Sequence, residues 1–311
     1  MRQVQPRVPH SLKTAMRAVW LPIARSSGYP ISSPRLHRPP LLQDRKPIWL
    51  SHALTACDLN PDYLEYWSHT KRAWLEIVGI EPMLVLIADD GDIPAELSED
   101  PYVVSFAPIP GVHTALQAQC IRLLYPALVE TEGAVVITDV DLYPLRRSYF
   151  VDPIKSLDSR FFVSYRDDRL NKSQIAIAYN AATPATWSDV FGISSVEDVR
   201  SRLEAWTSSL EYDGRRAWPG WYTDQEILYR VLTQWPEAPR RWWVMDDVFT
   251  KHRQLTRLDL EREEGLSARR RNGIRRGAYS DYICLFPYNA YRDVNDEVLK
   301  IALESQVRSP Q

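Results

Sequence analysis

Apolar residues in this chain fall into short, mostly β-branched runs separated by longer stretches with helical spacing, a pattern that predicts alternating strands and helices. Pro47-Ile48-Trp49-Leu50-Ser51-His52-Ala53-Leu54-Thr55-Ala56-Cys57 reads as a first strand, closed by the turn residues Asp58-Leu59-Asn60-Pro61. Tyr63, Tyr66, Trp67, Ala73, Trp74 and Ile77 then recur at three- and four-residue steps, which predicts a helix that Gly79 ends. Met83–Ala88 and Val103–Phe106 read as further strands, and His113–Val129 as a helix with Leu116, Cys120, Leu123, Leu124 and Ala127 on one face and Gln117, Gln119 and Arg122 on the other. Ala134-Val135-Val136-Ile137 is a buried strand, and Thr138-Asp139-Val140-Asp141 follows it directly, with Pro144 just beyond. Strands this apolar belong to a covered, mainly parallel sheet rather than to an exposed one.

The second half continues the pattern. Phe161–Tyr165 and Ile175–Asn180 predict two strands, Val196–Leu210 a helix, and Trp242–Met245 a late strand ending at Asp246-Asp247. Thr223-Asp224-Gln225-Glu226 predicts a helix start with Thr223 at the cap and Glu226 three residues later in a capping box. Arg269-Arg270-Arg271 and Arg275-Arg276 flank Gly273 in what reads as a loop, and Val294–Leu303 as a final helix. There is no internal repeat.

Composition changes this picture mainly at the N-terminus. The chain has 311 residues, enough for one large or two modest domains. Residues 1–47 hold nine Lys or Arg and a single acid, Asp44, so the remainder, with 29 basic and 39 acidic residues, is distinctly acidic. The acidic body argues against general nucleic-acid binding. Residues 1–46, rich in Pro, Arg and Ser, read as an unstructured arm, a composition that also suits an organelle transit peptide; 47–311 reads as the folded domain. Three widely spaced cysteines, Cys57, Cys120 and Cys284, indicate neither a disulfide framework nor a zinc cluster and suggest a reducing, cytoplasmic setting. No apolar run is long enough to predict a membrane span.

Asp139 and Asp141 carry the candidate chemistry. Two carboxylates at a strand end repel unless a cation or protons intervene, and Mg²⁺ or Mn²⁺ takes carboxylate oxygens together with substrate phosphates. Ligands of open α/β sheets bind at the carboxyl ends of the strands. Spacing alone does not select this pair, because Asp90-Gly91-Asp92 also follows a strand with the same spacing, in a setting where aspartates serve turns.

The motif order resembles the GT-A class of glycosyltransferases. More closely, Asn60-Pro61-x-Tyr63, Lys71-Arg72-Ala73-Trp74, Gln117-Ala118-Gln119 with Arg122, Thr138-Asp139-Val140-Asp141, Tyr179-Asn180-Ala181-Ala182 and Thr223-Asp224-Gln225 resemble the small sugar transferases of large algal viruses and their bacterial relatives. The likeness covers residues 48 to about 290. It implies a GT-A-like α/β domain, a Rossmann-like nucleotide half plus an acceptor half, that moves a sugar from a nucleotide-diphospho-sugar to a glycan or other hydroxyl acceptor. It further implies Mn²⁺ or Mg²⁺ on Asp139 and Asp141, with Asp139 also near the ribose. Ala56, Asp58, Asp89 and Asp90 would frame base and ribose, Arg122 would add charge near the donor, and Asn180 would lie near the donor sugar. Asp224, with Glu226 as rival, would act as base, and Trp218, Trp221 and Tyr222 could stack on an acceptor sugar. Stereochemistry is left open. Related metal-dependent enzymes supply a late histidine, whereas no histidine follows His252 here, so His252, Asp246-Asp247 or water would complete the shell. The arginine run at 269–276 could close over the diphosphate.

Two rival readings remain at this level. Phosphatases of the haloacid dehalogenase type also use strand-Asp-x-Asp, and Val244-Met245-Asp246-Asp247 mimics their later acidic element. A module that binds a nucleotide sugar without turnover is the other.

Overall fold

The computed structural model describes residues 44–207, 210, 212, 220–263 and 265–307, all within one compact unit, Leu36–Gln311. The strands are β1 Leu50–Asp58, β2 Glu81–Ile87, β3 Val103–Phe106, β4 Ala134–Ile137, β5 Leu142–Pro144, β6 Phe162–Ser164, β7 Asn180–Ala182, β8 Trp242–Val244, β9 Gln254–Leu255 and β10 Asp281–Ile283. The main helices are α1 Trp67–Ala73, α2 Thr114–Ile121, α3 Arg147–Val151, α4 Pro184–Phe191, α5 Val196–Thr207, α6 Thr223–Gln234, α7 Asp247–Thr250, α8 Arg257–Arg262, α9 Ala268–Arg275 and α10 Arg292–Val307.

Seven strands form one sheet in the order β3-β2-β1-β4-β7-β6-β8, and β5, β10 and β9 form a second, three-stranded sheet. Within the large sheet only β7 runs against its neighbours, so the expected covered and mainly parallel α/β architecture is the one observed. Side-chain alternation explains why both faces need helices. Ala53, Cys57, Leu84, Leu86, Ala134 and Val136 enter the core beneath α1 and α10, whereas Leu54, Ala56, Val85, Ile87, Val135 and Ile137 enter the core beneath α2, α4 and α6. Val135, Val136 and Ile137 are fully buried, each contributing about 1.5–3 kcal/mol by leaving water.

Several expectations shift. The helix after β1 breaks into the turn Pro61–Leu64, α1 and a π-helical turn Trp74–Val78, and Gly79 ends it in the left-handed region at φ 75°. The segment expected as a strand over 175–180 forms β7 only from Asn180, because the Asn180 amide donates to the carbonyls of Ala176 and Ile177, both at 2.7 Å, and holds that backbone in a loop. Thr223 is not a cap: α6 begins at Thr223 after Tyr222, with no side-chain cap bond, and Glu226 accepts from Gln174 Nε2 at 3.3 Å instead. The arginine run expected as a loop is α9, capped by Ser267; Arg271 pairs with Glu297, and Arg270 with Asp259 and Glu263.

Arg45 and Lys46 already belong to the ordered body, through the carbonyl of Lys155 and the carboxylate of Asp158. Residues 1–43 of the expected N-terminal arm lie outside the described residues, as does Trp218. No helix among the described residues is long and apolar enough to cross a membrane.

Candidate active site

β4 pairs with β1 in parallel, Leu54 opposite Ile137, and the Thr138 amide extends this ladder to the Leu54 carbonyl at 3.0 Å. The chain then leaves the large sheet and enters the small one, where Leu142 lies opposite Ile283 and the Cys284 amide donates to the Asp141 carbonyl at 2.9 Å. Thr70 Oγ1 donates to the Val140 carbonyl from α1. Asp139-Val140-Asp141 is therefore a crossing between two sheets, pinned from three sides. That fixes where both carboxylates point.

Both face a cavity of about 530 Å³ at the carboxyl ends of β1 and β4. Its walls come from β1 (Ala56, Cys57, Asp58), α2 and the residue after it (Gln119, Arg122), the loop after β6 (Arg166, Asp168, Arg169), the loop before β7 (Ala176, Ile177, Ala178), the start of α6 with Trp221 before it (Asp224, Gln225), and Gln254 and Arg257.

Arg122 organises the charges. It caps the C-terminal end of α2, a helix tied to β1 by Thr114 Oγ1 donating to Asp58 at 2.7 Å. Gln117, buried within the helix, holds the preceding turn through Ile109 and Val112. Both polar side chains turn inward: Gln117 is 0% and Arg122 6% exposed. The Arg122 guanidinium donates to Asp139 Oδ1, to the Thr138 carbonyl at 3.1 Å and to Asp224 Oδ2 at 3.0 Å. One cation thereby joins the strand-end acid to an acid 85 residues further along the chain.

Burial raises Asp224 to about 6 despite the opposing pull of Arg122. Burial also raises Asp141, against the opposing influence of Arg257. Arg257, the first residue of α8, donates to Asp141 Oδ2 and to the Cys284 carbonyl, and α8 is placed by a capping box between Thr256 and Asp259. Burial works against the charge of Arg122, yet Asp139 and Asp224 outweigh it and its pKa is raised, so it stays a cation.

Of the residues singled out from sequence, Ala56, Asp58, Arg122, Asp139, Asp141, Asp224 and Trp221 line this cavity. Asp89, Asp90, Asn180 and Glu226 do not. Asp90 accepts from Ser105 Oγ at 2.9 Å in an exposed 3₁₀ turn, and Asp89 precedes that turn, accepting the Asp92 amide on its backbone carbonyl. The Asn180 amide nitrogen is engaged by the loop it shapes, and Glu226 accepts from Gln174. Tyr222 packs under the Arg169 guanidinium at 5.7 Å rather than lining the cavity. His252 lies outside the walls, bonded to Asp281 at 3.1 Å, and Asp246-Asp247 lie outside them too, so none of the three reaches the Asp139–Asp141 carboxylates as a wall group. None of the arginines of α9 lines it either. Arg166, Arg169, Arg257 and Gln254 had no strong local signal; for Arg257 the Thr256-x-x-Asp259 cap was the one legible clue.

The donor set can be tested against a divalent cation. Among the described residues, no group of three His, Cys, Asp or Glu side chains is placed to hold a metal. Asp139 and Asp141 each offer a second oxygen beside the one taken by a guanidinium, and a hard cation accepts two carboxylates when phosphate oxygens and water fill the remaining positions. The wall also carries five aspartates, 58, 139, 141, 168 and 224, against four arginines, 122, 166, 169 and 257, so it does not by itself offset an incoming diphosphate. The residues fit a cation that enters with a diphosphate.

No known protein family and no curated protein matches the sequence. Among solved structures, the chain is similar to the glycosyltransferase GlyE of Streptococcus pneumoniae TIGR4, with 13% identity and a TM-score of 0.47, covering 84% of this chain and 64% of that one. It is also similar to the galactosyltransferase LgtC in complex with donor and acceptor sugar analogues, at 10% identity and a TM-score of 0.40 over 81% and 95% of the two chains. A third is the glucosyl-3-phosphoglycerate synthase of Mycobacterium tuberculosis, in complex with Mn²⁺, UDP-glucose and phosphoglyceric acid, at 14% identity and a TM-score of 0.33 over 64% and 70%. The chain thus spans a little under two thirds of GlyE. These are likenesses of layout.

The haloacid dehalogenase arrangement is not present. Asp139-x-Asp141 follows the fourth strand in chain order, and Asp246-Asp247 follow β8, which is separated from β4 by β7 and β6.

Proposed function

We propose that this protein transfers a sugar from a nucleotide-diphospho-sugar to a hydroxyl acceptor, a glycan or another alcohol, within a GT-A-like domain. The observation that carries this reading is the Asp139–Arg122–Asp224 bridge beside Asp141, at the carboxyl ends of parallel strands where α/β sheets receive nucleotides.

In this reading the nucleoside lies against Ala56 and Asp58 and its diphosphate near Asp139, Asp141 and Arg257. Mn²⁺ or Mg²⁺, bound with the donor, supplies neutralisation of the charge that gathers on the departing diphosphate. Arg122 keeps Asp139 and Asp224 in fixed register, so the acids need not reorganise as charge moves. Asp224 accepts the proton of the acceptor hydroxyl while that oxygen bonds to the anomeric carbon. The carbon–phosphate-oxygen bond breaks, and its electron pair leaves with the nucleoside diphosphate. A carboxyl group raised to about 6 is suited to this work, because a base is most useful when its pKa lies near the working pH. Trp221 on the cavity wall offers a flat face for a sugar ring.

A panel of common nucleotide sugars, with and without Mn²⁺ and read by nucleotide release, tests the proposal. Release from at least one donor that depends on the cation and is lost in Asp141→Ala supports it. Binding of donors without release from any of them would favour a non-catalytic module.

A further inference from the structure

A second charged assembly lies beneath the cavity at the junction of the two sheets. Asp281, the first residue of β10, is 0% exposed. Its Oδ1 faces His252 Nε2 at 3.1 Å, and its Oδ2 accepts from Tyr179 Oη at 3.1 Å and Gln254 Nε2 at 2.7 Å. The other imidazole nitrogen, Nδ1, lies 3.7 Å from Asp247 Oδ2 on α7, and the same Oδ2 lies 3.5 Å from Arg166 Nε. Arg166 Nη2 lies 3.1 Å from Asp168. The chain Asp281–His252–Asp247 thus ends in side chains that line the cavity on both sides, Gln254 at one end and Arg166 at the other. Tyr179 joins it next to the wall residue Ala178.

We propose that His252, bridging Asp247 and Asp281, is a positioning residue that fixes the cavity-facing groups of Arg166 and Gln254. The buried carboxylate of Asp281 and the half-buried one of Asp247 each call for a donor, and an imidazolium has two N–H groups, one for each side. A neutral imidazole has one. On losing its proton, His252 leaves either Asp281 with only the neutral donors of Tyr179 and Gln254 or Asp247 with Arg166 as its remaining partner. In the second case Arg166 is drawn towards Asp247 and away from the cavity.

The groups that face His252 favour the charged form. Burial lowers its pKa, but the carboxylates of Asp247 and Asp281 together outweigh burial and the repulsion of Arg166, leaving it raised. The other titratable neighbours are Tyr149 of α3, whose ring centroid lies 5.3 Å away, and Tyr179. Both hold their protons far above neutrality, chiefly through burial. The surroundings therefore change charge near neutral pH through His252, while Asp247 is held below the usual carboxylate range because His252 and Arg166 overcome its burial.

The test follows the His252 imidazole, the Arg166 Nε–H and the Gln254 side-chain amide by NMR in the full chain from about pH 6 to about pH 9. The three signals should titrate together, with a midpoint above that of an unperturbed histidine, and His252→Gln should hold the Arg166 and Gln254 signals near their high-pH positions throughout. If Arg166 and Gln254 stay still while His252 titrates, the inference is overturned; this arm needs no variant to fold. A second arm rests on the proposed nucleotide site. Uridine diphosphate with Mg²⁺ should bind about tenfold more weakly above the His252 transition than below it, the equivalent of one pKa unit of coupling, and the dependence should flatten in His252→Gln. Coupled NMR titrations without binding at any pH would contradict the nucleotide site and leave the positioning role standing. Binding whose strength ignores the His252 transition would overturn the role itself.

Discussion

Asp90-Gly91-Asp92 and Asp139-Val140-Asp141 have the same spacing and both follow a parallel strand, yet they sit in opposite environments. Asp90 and Asp92 are exposed in a one-turn 3₁₀ helix, and Asp90 accepts one hydroxyl. Asp139 and Asp141 occupy a crossing between two sheets, each against a buried or half-buried arginine, over a cavity. The difference lies in what long-range packing brings to the acids. A carboxylate in a surface turn is solvated and costs little, whereas a buried one must be offset, and arginines supplied from distant segments offset it here.

The largest effects should separate the two copies by turnover. Asp141→Ala should lower nucleotide release by about 10³-fold or more, since it removes charge stabilisation worth several kcal/mol, while Asp90→Ala should stay within about twofold. Asp224→Asn should cost about 10²–10⁴-fold, the usual range for a general base. The wild-type rate should rise with pH through about 6 as Asp224 ionises, and this limb should vanish in the variant. The sign for stability is the reverse. The folded pKa of Asp224 lies above its unfolded value, so its contribution is fully present at low pH and lost as pH rises from about 4 to about 6. A pH series of thermal melts with Asp224→Asn as reference checks that loss.

Stability sharpens the same comparison. Arg122→Ala strips the cation from two acids, one of them buried, and should destabilise by about 3–5 kcal/mol in denaturant titrations. Arg269→Ala, at a side chain 76% exposed, should stay within about 0.5 kcal/mol. The smallest expected change is in Asp92→Ala, an exposed residue, which should leave both stability and turnover near wild type.

What sequence could show follows from the same distinction between local and distant causes. β1, β2 and β4 are readable because an apolar run of that length has few alternatives to a buried strand, and Gly79 is readable because a helix end at positive φ favours glycine. Asp139, Asp141 and Asp224 were legible as a strand end and a helix start. The pairings of these acids were not, although Arg122 itself was: Arg122 lies 102 residues from Asp224 and Arg257 lies 116 from Asp141, and nothing local marks those pairings. The errors have local competitors too. The Ile-Ala alternation over 175–178 suggested a strand, but the Asn180 amide captures two of the carbonyls a ladder would use. The arginine run suggested a solvated loop, but Glu297, Asp259 and Glu263 offset its charge and Ser267 caps it as a helix.

The central claim is that the strand-end pair, and not its exposed double, forms a diphosphate site. Calorimetric titration of uridine, guanosine, cytidine, adenosine and thymidine diphosphates, each with and without Mn²⁺, into wild type, Asp90→Ala and Asp141→Ala tests it directly. The account predicts that at least one nucleotide binds wild type and Asp90→Ala alike, more tightly with the cation, and that Asp141→Ala loses the cation-dependent part. Equal binding by all three proteins, or loss in Asp90→Ala with Asp141→Ala unaffected, would contradict it.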